Sequence, residues 1–237
     1  MVNGKSVSGH ARRGCHARCR CPRRVVRLPA VKGVAMAHII SPINPEIGSL
    51  FTVNFKSLRL TAAQFRQLCS DNRDLRLELT SQGELIVMPP TGSKTGQRNF
   101  SLTTQLGGWV RKDVSGVAFD SSTGFTLPDG AIVSPDASWI SRERWEALAE
   151  KEQEGFAPLC PDFVIELRSH SDRLARLQSR MRKYIENGAR LAWVVDPLER
   201  RVYVYRPSHE VEVLTDPETV AGDPLLPGFR LQLAELW

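Results

Sequence analysis

The segment Cys160-Pro161-Asp162-Phe163-Val164-Ile165-Glu166-Leu167-Arg168-Ser169 decides the reading of this chain. Its centre is an apolar, β-branched run of strand length, and one acid stands inside it. Side chains alternate faces along a strand, so Phe163, Ile165 and Leu167 are expected to enter a core. Glu166 and Arg168 then share the opposite face. About thirty residues earlier stands a second such run, Ile132-Val133-Ser134-Pro135-Asp136-Ala137-Ser138-Trp139-Ile140. It is read as one strand, with Asp136 on the face of Ser134 and Ser138. An unpaired carboxylate inside a strand is costly to bury, so two of them ask for a reason.

Working outward, alternation marks Leu75–Leu79 and Glu84–Met88 as a hairpin turning at Ser81-Gln82-Gly83. Thr61 and Gln64 have the spacing of a capping box, with Leu60 and Phe65 as its hydrophobic staple, which predicts a short helix to about Cys69. A longer helix is expected over Thr95–Arg111, with Phe100, Thr103, Leu106 and Val110 on one stripe. Gly116–Phe125 reads as a strand, joined to 132–140 through the turn Pro128-Asp129-Gly130. Ser141 to about Glu152 reads as an exposed helix. After the Glu166 strand, Ser171 or Asp172 is expected to cap a helix with the stripe Leu174, Leu177, Met181, Tyr184 and Ile185. Gly188 is its stop. Strands follow at Leu191–Val195 and Val202–Tyr205, then a tail read mostly as loop. This order predicts an α/β fold with a mixed central sheet flanked by helices, elaborated at its N-terminus by the short helix and hairpin.

Composition narrows the partners. No run approaches the roughly 20 apolar residues of a membrane helix. The net charge of +6 suggests nucleic acid, but nine Lys/Arg and no acid fall within residues 1–36. The remaining 201 residues hold 23 Lys/Arg against 26 Asp/Glu, a net of −3. Residues 1–36 read as a disordered basic extension, or as upstream sequence with Met36 as the true start. Zinc ligation by Cys15, Cys19, Cys21 and the nearby histidines, and an organelle transit peptide, are the other readings. Residues 37–237 are expected to form one domain. Its two cysteines, Cys69 and Cys160, suggest no disulfide framework and fit the cytoplasm. A basic cluster, Arg173, Arg176, Arg180, Arg182 and Lys183, falls on one helix.

The spacing of the two acids leaves two readings open. If their strands are neighbours, Asp136 and Glu166 can share a divalent cation, and hard oxygen ligands suit Mg²⁺ or Mn²⁺. Arg168 would then stabilise charge developing on a phosphate under attack. Alternatively, Asp136 shapes a turn beside Pro135, while Glu166 and Arg168 form a solvated pair of little energetic value.

A family resemblance bears on that choice. The segments Leu79–Leu85 with Met88-Pro89-Pro90, Ser134-Pro135-Asp136, Cys160–Ser169, and Gly188–Trp193 with Val195-Asp196-Pro197 occur in an order that resembles the Uma2 family of restriction-endonuclease-like proteins. That family belongs to the PD-(D/E)XK nuclease superfamily. The resemblance implies a restriction-endonuclease-like core and metal-dependent hydrolysis of DNA, with Asp136 and Glu166 as metal ligands and Arg168 at the position of the superfamily's lysine. An arginine keeps the charge but cannot act as a base. His170 stands where the family has proline. The resemblance also makes Glu84 a possible third carboxylate, and Gln178 and Arg180 possible site residues on the following helix. A homodimer would suit a two-strand cut. The alternative is a nuclease-fold protein without catalysis, acting as a DNA-binding or regulatory module.

Overall fold

The computed structural model describes residues 51–55 and 60–237; the basic segment 1–36 lies outside the described residues. In chain order the first half contains β1 (Phe51–Asn54), α1 (Ala62–Asp71), β2 (Arg76–Leu79), β3 (Glu84–Met88), α2 (Ser93–Asp113), β4 (Gly116–Asp120), β5 (Phe125–Thr126), β6 (Ile132–Val133) and β7 (Ala137–Ser141). The second half contains α3 (Arg142–Glu146), α4 (Glu150–Gln153), β8 (Phe163–Leu167), α5 (Leu174–Glu186), β9 (Leu191–Asp196), β10 (Arg201–Tyr205), β11 (Glu212–Thr215), β12 (Thr219–Ala221) and β13 (Arg230–Gln232).

Two apolar strands joined by an amphipathic helix set the architecture. β8 and β9 pair in parallel, Phe163 with Leu191 through Leu167 with Val195, and α5 is the crossover between them. Parallel strands of this kind are covered on both faces, and every residue of β8 and β9 is buried. On one face Phe163, Ile165 and Leu167 pack with Trp193, Val195 and the α2 residues Leu102 and Leu106. On the other, Val164 and Val194 pack against Leu177, Met181 and Tyr184 of α5. Antiparallel neighbours extend this pair into a six-stranded mixed sheet of order β11-β10-β9-β8-β7-β4.

A second sheet, of order β1-β3-β2-β6-β5, carries the N-terminal helix and hairpin. Phe65 and Leu68 of α1 pack on Leu77, Leu79, Leu85 and Ile132. The Thr61–Gln64 capping box is present, and the hairpin turns at Gly83 with φ of 80°.

The expected single strand over 132–140 is two strands in two sheets: β6 pairs with β2, and β7 with β4 and β8. The break falls at Ser134-Pro135-Asp136, where proline has no N–H to give a ladder. The expected strand over 116–125 divides in the same way into β4 and β5. The expected helix over 141–152 is the short pair α3 and α4. On α2 the inward stripe is Arg98, Leu102 and Leu106, whereas Phe100 is 74% exposed. Asp172 does not cap α5: its Oδ2 accepts from the Ser169 N–H and Oγ–H. The tail is more ordered than expected, since Val220 of β12 and Leu231 of β13 enter the α2-side core. No helix among the described residues is long and apolar enough to cross a membrane.

Gly116 pairs with Ser141 at the end of the β4–β7 ladder. A Cβ there would fall 2.3 Å from the Ile140 carbonyl oxygen and 2.4 Å from the Trp139 ring. Overpacking of this kind costs about 1–3 kcal/mol. Gly116→Ala is expected to lower the melting temperature by roughly 2–10 °C. An unchanged melting temperature in calorimetry would contradict the packing described.

Candidate active site

Asp136 sits where the chain crosses from one sheet to the other. β7 pairs Ala137 with Ile165 of β8, and the same register one residue earlier sets Asp136 opposite Glu166. Both side chains are buried. Asp136 Oδ2 accepts the Leu167 N–H at 2.9 Å, which ties it to the residue after Glu166. Its Oδ1 accepts from Asn99 Nδ2 of α2 at 3.2 Å. Arg76 of β2 approaches the same oxygen, Nη1 at 3.9 Å, while its Nη2 donates to the Ser134 carbonyl at 2.7 Å.

Glu166 is held from the helix side. Arg180 of α5 donates from Nε to Glu166 Oε1 at 2.6 Å, and the Tyr184 hydroxyl reaches that oxygen at 3.1 Å. The fork of the same guanidinium closes on Glu78 of β2, with Nη1 to Oε2 at 2.5 Å and Nη2 to Oε1 at 2.7 Å. Glu78 Oε1 also accepts the Ser134 N–H at 2.8 Å. One arginine therefore joins β2, β8 and α5. Charges this deeply placed are tolerated only when paired, and removing one partner of such a set costs about 3–5 kcal/mol.

The charges do not balance within the cluster. Three carboxylates, Glu78, Asp136 and Glu166, face two guanidiniums. Burial raises the proton affinity of all three acids, and the outcome differs with the partners. Burial is the largest single influence on Glu78, yet it ends below the usual carboxylate range because Arg180, the Ser134 N–H and Arg76 together outweigh it. Asp136 ends above it: burial exceeds the combined help of the Leu167 N–H, Arg76, Arg180 and Asn99. Burial pushes Glu166 up to about 7; Arg180 opposes this, and the charges of Asp136 and Glu78 add to it. Tyr184 keeps its proton to well above its ordinary value, chiefly through burial.

Of the residues expected from sequence, Asp136, Glu166 and Arg180 come together. Arg168 does not join them: its Nη1 lies 2.7 Å from Oδ2 of Asp196, a fully buried acid at the end of β9. Among the described residues no hydrogen bond or ion pair links Arg168 to Asp136 or Glu166. The cation on Glu166 comes instead from the helix, fourteen residues on. Glu84 lines a cleft of about 300 Å³ between α5 and the β2–β3 hairpin, beside Arg176, Ser179 and Lys183. Gln178 is half-buried and takes no part in the bonds above.

Sequence reasoning did not single out Glu78, Arg76, Asn99 or Tyr184. Arg76 and Glu78 form the polar face of an alternating strand, which is one visible signal. Asn99 carries none, and Tyr184 reads only as part of an apolar stripe.

The donor set fits a hard divalent cation. Asp136 and Glu166 offer carboxylate oxygens, and both hold protons more tightly than usual, the behaviour of buried acids short of positive charge. Glu166 Oε2 takes part in none of the hydrogen bonds just described. Among the described residues, no group of three Asp, Glu, His or Cys side chains could hold a metal. Two carboxylates with water and substrate oxygens suit Mg²⁺, which is seldom caged by protein alone.

Comparison with known proteins bears on what such a site serves. The model of the Uma2 family, described as "Putative restriction endonuclease", matches residues 62–234. The crystal structure of a "putative nuclease belonging to DUF820" from Anabaena variabilis ATCC 29413 has a TM-score of 0.62 and 22% identity. The match covers 75% of this chain and 97% of that one, and it shows a shared fold. No curated protein matches.

The raised proton affinity of Glu166 has a measurable consequence. Its ordinary value is 4.5, against about 7 in the folded chain, so between these values the folded state binds the extra proton. Stabilisation from protonated Glu166 is complete below pH 4.5 and is lost as the pH rises through about 7. In metal-free buffer, the wild-type melting temperature is expected to fall relative to Glu166→Gln between pH 5 and pH 8. Parallel curves would contradict the assignment.

Proposed function

The chain belongs to the Uma2 family, and from that premise we propose that it is a metal-dependent endonuclease hydrolysing DNA phosphodiester bonds. One observation carries the reading: two buried carboxylates, Asp136 just before β7 and Glu166 on β8, stand opposite each other in the register of the two strands. These two residues would hold Mg²⁺ or Mn²⁺. Such an ion, when bound, neutralises phosphate charge and makes water a better nucleophile at neutral pH.

The remaining roles fall to the chain's own groups. Arg180, clamped by Glu78, fixes the carboxylate of Glu166 and keeps one of its oxygens occupied. The Leu167 N–H fixes Asp136. Arg76 has a partly exposed side chain beside Asp136; its Nε is buried without a partner and its Nη2 is engaged by the Ser134 carbonyl. Its Nη1, 3.9 Å from Asp136 Oδ1 on a partly exposed side chain, would be the group to meet a phosphate oxygen there. Arg176, Arg182 and Lys183 are exposed on α5, with Arg173 exposed at its N-cap, and would give a local basic surface for the DNA backbone, despite the acidic balance of the body. A homodimer would present two such sites for a two-strand cut, and a cytoplasmic location fits access to DNA.

A second reading has its own observation. Arg168 is committed to Asp196, so the position of the superfamily's lysine contributes no free cation to the two acids. A nuclease-fold protein that binds DNA without cutting it, as a regulatory module, would look the same there.

Plasmid nicking with Mg²⁺ or Mn²⁺ separates the two. The proposed activity is expected in the wild type and should drop to background in Asp136→Ala and Glu166→Ala. Cutting that survives both substitutions would refute the site. DNA retention without cutting under any metal would favour the second reading.

A further inference from the structure

We propose that Asn99 is a further ligand of the cation site, binding Mg²⁺ or Mn²⁺ through its side-chain carbonyl together with Asp136 and Glu166. This rests on the reading that those two carboxylates hold the ion.

Two carboxylates leave most positions of a six-coordinate cation open to water, substrate or a further protein oxygen. Among the described residues no third Asp, Glu, His or Cys side chain completes it. Glu78, the third acid of the cluster, has both oxygens engaged by Arg180 and one also by the Ser134 N–H. Side-chain carbonyls are chemically suited to the same hard cations as carboxylates.

Asn99 of α2 carries such a carbonyl on the amide that meets Asp136. Its Oδ1 is buried and has no hydrogen-bond partner. Buried acceptors are almost always satisfied, so an orphan on an amide that holds Asp136 asks for a donor or a cation. The other end of the amide, Nδ2, lies 3.2 Å from Asp136 Oδ1. Adjacent vertices of an octahedron with ~2.1 Å metal–oxygen bonds are about 3.0 Å apart. A half-turn of the amide about its last torsion exchanges Nδ2 for Oδ1 at that spacing. With no cation between them, the nitrogen faces the carboxylate as a donor. With one, the oxygen faces it as a second ligand. The backbone need not move, because Leu102 and Leu106 fix α2 against Trp139 and the sheet.

A simpler role for Asn99 is to orient Asp136 through the Nδ2 hydrogen bond. The two roles diverge for Asn99→Asp. A carboxylate is a stronger ligand than an amide oxygen but cannot donate to Asp136, and without a cation it repels it.

The test is Mn²⁺ binding by the full chain at pH 8, read by calorimetry and by the electron paramagnetic resonance signal of free Mn²⁺. Metal-free melting curves confirm that each variant is folded. The wild type is expected to bind, and Asp136→Asn to lose binding. Asn99→Ala should weaken it by about tenfold or more, and Asn99→Asp should bind at least as tightly as the wild type. A second readout is the rise in melting temperature on adding Mn²⁺, which should be largest in Asn99→Asp. If Asn99→Ala binds like the wild type, or Asn99→Asp binds more weakly than Asn99→Ala, the ligand role is wrong and the Asp136–Glu166 site stands. If the wild type binds no Mn²⁺ while Asp136→Asn and wild type melt alike with and without it, both fall together.

Discussion

A single guanidinium, that of Arg180, holds the centre of this structure together. It lies between Glu78 on the N-terminal sheet and Glu166 on the central sheet, and it arrives from the helix that links the two parallel strands. All three charges are largely withdrawn from water, so none can be removed alone without leaving an uncompensated charge. The same constraint fixes the relation of the two sheets. Glu78 binds the N–H of Ser134, and both Arg76 and Arg180 reach its carbonyl, at the point where the chain crosses from β6 to β7. The crossing and the charge cluster are one feature.

From that cluster follows the chemistry. Arg180 satisfies Glu78 fully and Glu166 only in part, and Asp136 relies on a backbone N–H, an amide and a distant arginine. The result is a steep difference among three neighbouring acids. One is held ionised, and two have raised proton affinity. Divergent environments of this kind separate structural from functional carboxylates. Glu78 is locked to Arg180; Asp136 and Glu166 are the pair proposed to hold a cation. The family to which the chain belongs is consistent with that use.

The sequence makes the central strands and two of the acids legible because their signals are local. Phe163–Leu167 and Leu191–Asp196 are apolar enough to be strands wherever they lie, and an acid in such a run stands out. The family motif order then extends this to the whole fold. What stays hidden depends on contacts between distant segments. Glu78 looks like the solvent face of a hairpin until α5, about a hundred residues later, covers it. Arg168 is two residues from Glu166 and is the natural candidate for its partner. The parallel register of β8 with β9 brings Asp196 to it instead. Pro135 does announce a break in the run 132–140, yet only the pairing of each half shows that the halves belong to different sheets. Phe100 fits a helical stripe by spacing, but Leu102 and Leu106 face the sheet.

The pairing of Asp136 with Glu166 as a cation site is open to direct observation. A crystal of the full chain soaked in Mn²⁺ can be measured near the manganese absorption edge. An anomalous peak is expected between the two carboxylates, on the side away from the Arg180 Nε. A well-diffracting soaked crystal with no peak there, or with its manganese bound elsewhere, would contradict it.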